Sequence, residues 1–129
     1  MPIRTVRLGS PRAPDEGLRI GTVRRPPRGV PREEFASRDY YDIWLPELAP
    51  SAEVVAAAMA TLWTDARWQQ FVRTYRREMQ EPSAQRLIAL LAAMSRQTHF
   101  SVGCYCEDEA RCHRAVLRAL LADAGAVLV

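Results

Sequence analysis

Short apolar runs near both ends of the chain flank a middle section in which apolar residues recur at helical spacing. The runs Leu18–Val23 and Phe100–Cys104 each have the length and apolar content of a buried strand. Strands that are separated by helices usually pair in parallel, with the helices packed on the faces of the sheet. The order of these segments therefore predicts an α/β fold, Rossmann-like, with a small parallel or mixed sheet covered by helices.

Four helices are predicted from side-chain spacing and from residues that favour helix ends. Ser51 is a candidate cap for the first helix and Thr64 or Asp65 for the second, while Pro82 suits the first turn of the third. The last helix is expected from about Ala110 to Ala124. The side chains expected on the core faces of the four helices are Val55, Ala58, Met59, Leu62, Trp68, Phe71, Val72, Tyr75, Met79, Leu87, Leu90, Leu91, Met94, Val116, Leu117, Leu120 and Leu121.

The first fifty residues have weaker patterns. Ile3–Leu8 alternates only poorly and is a weak strand candidate, and Gly9–Gly17 has the composition of a loop. Arg24–Pro31 contains several prolines and cannot continue a central strand. We interpret Phe35–Pro50 as a long irregular segment whose aromatic side chains pack onto the rest of the protein.

Length and composition set the broad class. The 129 residues predict one α/β domain, with an N-terminal strand and loop in residues 1–17 and the main part in residues 18–124. We expect a cytoplasmic protein without a membrane partner, because the chain lacks a long apolar segment and a signal-like N-terminus. The net charge is only +3, and no recognition-helix pattern joins base-reading side chains to a basic flank, so we expect no sequence-specific nucleic-acid binding. The sequence does not decide between a monomer and a homo-oligomer.

Three cysteines and a histidine lie close together at the end of the predicted strand Phe100–Cys104 and just after it: Cys104, Cys106, Cys112 and His113. Thiolates and imidazole are ligands for zinc and other soft metals, so these four are candidate metal ligands. They are also candidate catalytic groups, with Cys106 or Cys112 as the nucleophile and His113 as the base. Chemically inactive, buried cysteines are the structural alternative.

Arginines offer a second kind of site at the same end of the sheet. Ligands of open α/β sheets bind beyond the carboxyl ends of the strands, where the loop with Arg24 and Arg28 and the turn before Arg114 should emerge. Guanidinium groups bind phosphate and carboxylate. The leading hypothesis is therefore a small anionic or nucleotide-like ligand bound by Arg24, Arg28 and Arg114. A thiol-based or metal-dependent enzyme and a protein-interaction module are the alternatives.

Three motifs occur in a fixed order within the segment Leu18–Leu121: Arg24-Arg25-Pro26-Pro27-Arg28-Gly29-Val30, Trp44-Leu45-Pro46-Glu47-Leu48-Ala49-Pro50-Ser51, and Arg67-Trp68-x-x-Phe71-x-x-x-Tyr75-x-x-Glu78. They resemble the Asp-Arg-Leu-Trp-Pro-Arg-Gly, Trp-x-Lys-Glu-x-Ala-Pro-Ser and Arg-Trp-x-x-Phe-x-x-x-Tyr-x-x-Glu segments of one bacterial family. That family is the family of unknown function numbered 488, in its short branch. The resemblance implies a small cytosolic α/β domain with no settled activity.

The chain departs from this family pattern at several positions. The acidic residue before the first arginine is Val23 here, the tryptophan of the first motif is Pro26, and the lysine of the second is Pro46. The segment Cys106-x5-Cys112-His113-Arg114 instead resembles the Cys-His-Arg motif of the family's longer branch. A site built from the replaced side chains would differ in this protein, which directs attention to the cysteines.

Overall fold

The protein is built on a parallel sheet with helices packed on it, as seen in a computed structural model that describes residues 3–59, 63–106 and 111–129, with residues 58 and 59 described by their backbone alone. The strands of this described part are β1 (Ile3–Arg7), β2 (Leu18–Gly21), β3 (Ile43–Trp44) and β4 (Phe100–Cys104). The helices are α1 (Ala52–Met59), α2 (Asp65–Glu78), α3 (Pro82–Met94) and α4 (His113–Asp123), with short 3-10 turns at Arg32–Glu34 and Pro46–Leu48. The predicted small, helix-covered parallel α/β sheet is confirmed.

Strand β4 lies inside the sheet and is paired on both sides. The strand order is β1-β4-β2-β3, and every pair is parallel. Phe100 faces Ile3 on one side and Leu18 on the other. The ladder extends past the carboxyl ends of the strands, since the Leu8 N–H donates to the Cys104 carbonyl at 2.7 Å. Every residue of β4 is buried, which explains its continuous run of small and apolar side chains.

Strand β3 was not expected from the sequence. Phe35–Pro50 was interpreted as irregular, but Ile43 and Trp44 pair with Ile20 and Gly21 of β2. Two residues are too few to show the alternation by which a strand is recognised. The segment does pack down as expected, because Tyr41 is buried.

The helix ends follow the sequence signals closely. The Ser51 hydroxyl accepts from the Val54 N–H at 3.3 Å, and the Thr64 hydroxyl accepts from the Arg67 N–H at 3.2 Å. Pro82 occupies the first turn of α3. The expected core positions Ala58, Met59 and Leu62 of the first helix lie outside the described side chains. None of the helices in the described part is long and apolar enough to cross a membrane.

Helix α2 presents the predicted face to the core, but unevenly. Tyr75 and Met79 are buried, whereas Trp68, Phe71 and Val72 are only partly buried against the same cluster. The face therefore tilts, so that its carboxyl-terminal end is enclosed and its amino-terminal end borders a cavity.

Two expectations for the later helices are wrong. Leu90 of α3 is 53% exposed, because the buried face of this helix passes through Ala84, Ile88 and Leu91 instead. Helix α4 begins at His113 rather than near Ala110, since the cap residue Cys112 has extended backbone angles. The expected acidic turn at residues 107–109 lies outside the described part of the chain.

A buried ion pair ties β2 to its neighbours. The Arg19 side chain is fully buried, and its Nε lies 2.7 Å from Oε2 of the buried Glu16. Arg19 also donates to the carbonyls of Ser10 and Asp39, each at 2.7 Å. Burial by itself would raise the pKa of Glu16, but hydrogen bonds from Arg19, from the Ser101 hydroxyl and from a backbone N–H lower it to about 2.

We expect this pair to make folding sensitive to acid. Glu16 has a lowered pKa in the folded protein, so its stabilisation is present above the ordinary value of 4.5 and is lost as the pH falls toward 2. Urea unfolding across this range should show the decline in the free energy of unfolding in the wild type and much less of it in Glu16→Gln. The exposed neighbour variant Asp15→Asn is the control. An equal pH slope in wild type and Glu16→Gln would contradict the assignment.

Candidate functional site

The three cysteines meet where the central strand ends and the last helix begins. Cys104 is the final residue of β4, and Cys112 caps α4. Both are buried, whereas Cys106, in the segment that leaves the strand, is exposed. The end of β4 and the start of α4 therefore position the two buried sulfurs.

The sulfur atoms of these residues form a tight group. Cys104 Sγ and Cys112 Sγ lie 2.6 Å apart, and all three sulfurs lie within 4.8 Å of one another. The three could together hold a soft metal ion, and among the described residues this group does not include His113. Thiolates on one tetrahedral zinc stand about 3.8 Å apart, given bonds of about 2.3 Å. Cys104 and Cys112 are closer than that, so their spacing is not the spacing of two thiolates on one tetrahedral zinc.

The environment of Cys106 favours its thiolate. Hydrogen bonds from the Cys104 and Cys112 thiols, followed by the positive charge of Arg114, lower the pKa of Cys106 well below that of an ordinary thiol, although partial burial opposes this. The pKa of Cys104 is raised, because it hydrogen-bonds to Cys106 and Cys112 and is buried. These shifts favour the negative charge on the exposed sulfur of Cys106 and the proton on the buried sulfur of Cys104.

His113 is buried beside Cys112 and has a defined orientation. Its Nε2 lies 2.7 Å from the Thr22 carbonyl oxygen, which can only accept a hydrogen bond. Nε2 therefore carries the proton, and Nδ1, which lies 3.8 Å from Cys112 Sγ, presents its lone pair to that sulfur. In this tautomer His113 can take a proton from Cys112.

Arg114 faces neither solvent nor a cleft, whereas the anion hypothesis requires it to do so. It is 3% exposed, and its Nη2 donates to the Cys106 carbonyl at 2.7 Å. The first turn of α4 brings the guanidinium under the segment that leaves β4, which buries it. Arg114 thus holds the backbone of Cys106 and contributes positive charge near its sulfur, rather than offering a free anion site.

A cavity of about 370 Å³ opens beside the sulfurs. Its walls are mainly apolar and come from the end of β2, from α1 and from α2. The described residues that line it are Val23, Pro50, Val55, Trp63, Phe71, Cys104, Tyr105, Cys106, Arg111, Cys112 and His113. Both candidate nucleophiles and the candidate base therefore border one space large enough for a small molecule.

Arg111 is the arginine on this cavity wall. Its Nη2 lies 2.7 Å from Asp65 Oδ1, and its guanidinium carbon lies 5.8 Å from the centre of the Trp68 ring. These contacts hold the positive charge of Arg111 next to the aromatic side of the cavity.

The other arginines of the anion hypothesis lie elsewhere. Arg24 donates to the carbonyls of Pro50 at 3.0 Å and Ala49 at 3.2 Å, and Arg28 is exposed. Neither lines the cysteine cavity, so the structure does not bring Arg24, Arg28 and Arg114 to one site. Whether any of them binds an anion stays a prediction.

Sequence reasoning found the cysteines and His113 but missed the apolar wall. Val55 and Phe71 were placed on core faces, since helical spacing alone does not separate a core face from a cavity wall, and Trp63 was not singled out. Trp63 is 36% exposed and packs edge-on against Phe71, with 5.5 Å between the ring centres. The available sequence signal was an aromatic residue directly before the helix cap Thr64.

Comparison with family models assigns the chain to a family. The family model described as "Active DUF488-N3 subclade" matches residues 3–125. The resemblance to family 488 is thereby confirmed. No curated protein and no solved structure has significant similarity to the chain.

We expect Arg114 to act on the ionisation of Cys106. Replacing Arg114 with Gln removes a nearby positive charge and should raise the pH midpoint of Cys106 alkylation by about one pH unit. Mass spectrometry of the alkylated protein measures this midpoint. Arg114→Lys, which keeps the charge, should stay closer to the wild type, and circular dichroism checks that both variants fold. An unchanged midpoint in Arg114→Gln would mean that the charge does not reach the sulfur.

Proposed function

We propose that this chain, which belongs to the DUF488 family, is a cysteine-dependent enzyme in which the Cys106 thiolate is the nucleophile. The observation that carries the proposal is one exposed sulfur grouped with two buried thiols at the wall of a cavity. A sulfur that is accessible to a substrate and stabilised as the anion is what nucleophilic catalysis by cysteine requires. The matched subclade is described as active, which agrees with this proposal.

The neighbours of Cys106 support distinct roles. Cys104 and Cys112 stabilise the thiolate by hydrogen bonding, and Arg114 stabilises it by its charge. The start of α4 adds the positive end of a helix dipole at the same place. His113 is oriented to take a proton from Cys112. These groups act before any substrate arrives, so the nucleophile is preorganised.

The cavity indicates the kind of substrate. Trp63, Phe71 and Val55 provide apolar contact area, and Arg111 supplies a positive charge at the wall. A small molecule with an apolar portion and an electrophilic centre near Cys106 fits this arrangement. The anion-binding hypothesis has less support, because Arg24 and Arg28 do not share the cavity.

The proposal is tested by the pH dependence of alkylation. For a thiol with an ordinary pKa of about 8.5, the iodoacetamide rate rises about tenfold per pH unit below that value. If Cys106 is already a thiolate, its rate should be nearly constant between about pH 5 and pH 8. The shape of the profile is the criterion, since the nucleophilicity of a thiolate falls as its pKa falls.

The residues can be separated by digestion and substitution. Trypsin cleavage after Arg96, Arg111 and Arg114 places Cys104 and Cys106 in one peptide and Cys112 in another. The flat profile should belong to Cys106 and disappear in Cys106→Ser, while Cys104→Ser should keep a reactive Cys106 with a higher midpoint. A Cys106 rate that climbs steadily to pH 8, like that of an ordinary thiol, would refute the proposal.

A further inference from the structure

We propose that the three cysteines form a relay that reduces small organic disulfides and retains the oxidation as a buried Cys104–Cys112 disulfide. This inference rests on the proposed role of Cys106 as the nucleophile and adds a substrate class and two further reacting residues. Stabilising a thiolate does not by itself require two thiols that also touch each other. Cys104 Sγ and Cys112 Sγ nevertheless lie only 2.6 Å apart.

The three sulfurs differ in their exposure and therefore in the role each can take. Cys106 is exposed and meets the substrate, whereas Cys104 is 1% and Cys112 2% exposed. A substrate in the cavity can therefore be attacked by Cys106. The two buried thiols border the same cavity, but each also has a protein sulfur next to it with which it can react. Thiol–disulfide exchange is the chemistry in which a neighbouring thiol completes the reaction of the first without another reagent.

In the first step, the Cys106 thiolate attacks one sulfur of a disulfide R–S–S–R. A bond forms between Cys106 Sγ and that sulfur, and the original S–S bond breaks with its electron pair leaving on RS⁻. The product is a mixed disulfide between Cys106 and R–S.

In the second step, Cys112 resolves the mixed disulfide. Its proton passes to Nδ1 of His113, which lies 3.8 Å from Cys112 Sγ, and its sulfur attacks Cys106 Sγ. The bond from Cys106 to the substrate sulfur breaks, and the second RS⁻ leaves. His113 then gives its proton to the first RS⁻ through solvent.

In the third step, Cys104 attacks Cys112 Sγ. The Cys104 proton goes to the second RS⁻, the Cys106–Cys112 bond breaks, and Cys106 leaves as the thiolate. A sulfur that is stable as an anion is the better leaving group, which favours this direction. Overall, one disulfide gains two electrons and two protons to give two RSH, and Cys104 and Cys112 lose them.

The experiment uses fully reduced wild-type protein and glutathione disulfide without oxygen. After an acid quench and alkylation, the intact mass should show the loss of two hydrogen atoms and no retained glutathionyl group. Trypsin separates Cys112 from the other two cysteines, and fragmentation of the linked peptides should place the bond between Cys104 and Cys112, with Cys106 alkylated.

Matched variants trap each stage. Cys112→Ser should stop at a glutathionyl group on Cys106, Cys104→Ser should stop at a Cys106–Cys112 bond, and Cys106→Ser should lose at least 90% of the initial rate. His113→Gln should slow resolution while leaving formation of the mixed disulfide unchanged. These variants are compared only where circular dichroism matches the wild type.

The outcomes distinguish this relay from the nucleophile itself. A wild-type protein that accumulates the Cys106 mixed disulfide, or one that leaves glutathione disulfide untouched, overturns the relay while the flat alkylation profile still supports Cys106 as nucleophile. A final bond between Cys104 and Cys106 also overturns it. If the alkylation profile fails as well, both proposals fall together.

Discussion

The pairing of β4 on both sides is the constraint from which the rest of the structure follows. With β1 on one edge and β2 on the other, β4 has no free edge, and its residues from Phe100 to Cys104 must be small or apolar. Cys104, the last residue of β4, is therefore buried at the carboxyl end of the sheet. Helix α4 begins at the same end of the sheet, and its cap residue Cys112 contacts Cys104 there.

Two buried arginines near this strand have specific hydrogen-bond partners. On the β2 side, Arg19 is enclosed by Glu16 and by backbone carbonyls. Near the cysteines, Arg114 is buried against the Cys106 carbonyl. A buried guanidinium without partners would be costly. Here one arginine ties the sheet to its loops, and the other biases the ionisation of a nearby sulfur.

Much of the fold was predictable because periodic segments were long. The capping residues and the apolar spacing predicted helices α2 and α3. The parallel pairing of Phe100–Cys104 with the strand at Leu18 was predicted from the order of strands and helices along the chain. The two-residue strand at Ile43 was not predictable, since so short a pairing leaves no pattern. Burial of Leu90 was predicted wrongly because a helix with apolar residues on several sides does not reveal which side is covered.

The site was predictable in its composition but not in its geometry. Cys104, Cys106, Cys112 and His113 are close in sequence, so their proximity followed from the turn between a strand and a helix. Which sulfur is exposed depends on where α4 begins, and the cap conformation of Cys112 decides this. The apolar wall comes from residues about forty positions earlier, such as Trp63 and Phe71, and required the packing of α2 to be known.

The proposed chemistry depends on Cys106 being a thiolate in the resting protein. A pH titration of thiolate ultraviolet absorbance in the wild type and in Cys106→Ser measures this. We expect the wild type to keep the absorbance of one thiolate at pH 5 and Cys106→Ser to lack it there. If both proteins show no thiolate absorbance until the pH reaches about 8, the range of an ordinary cysteine, Cys106 is not a resting thiolate.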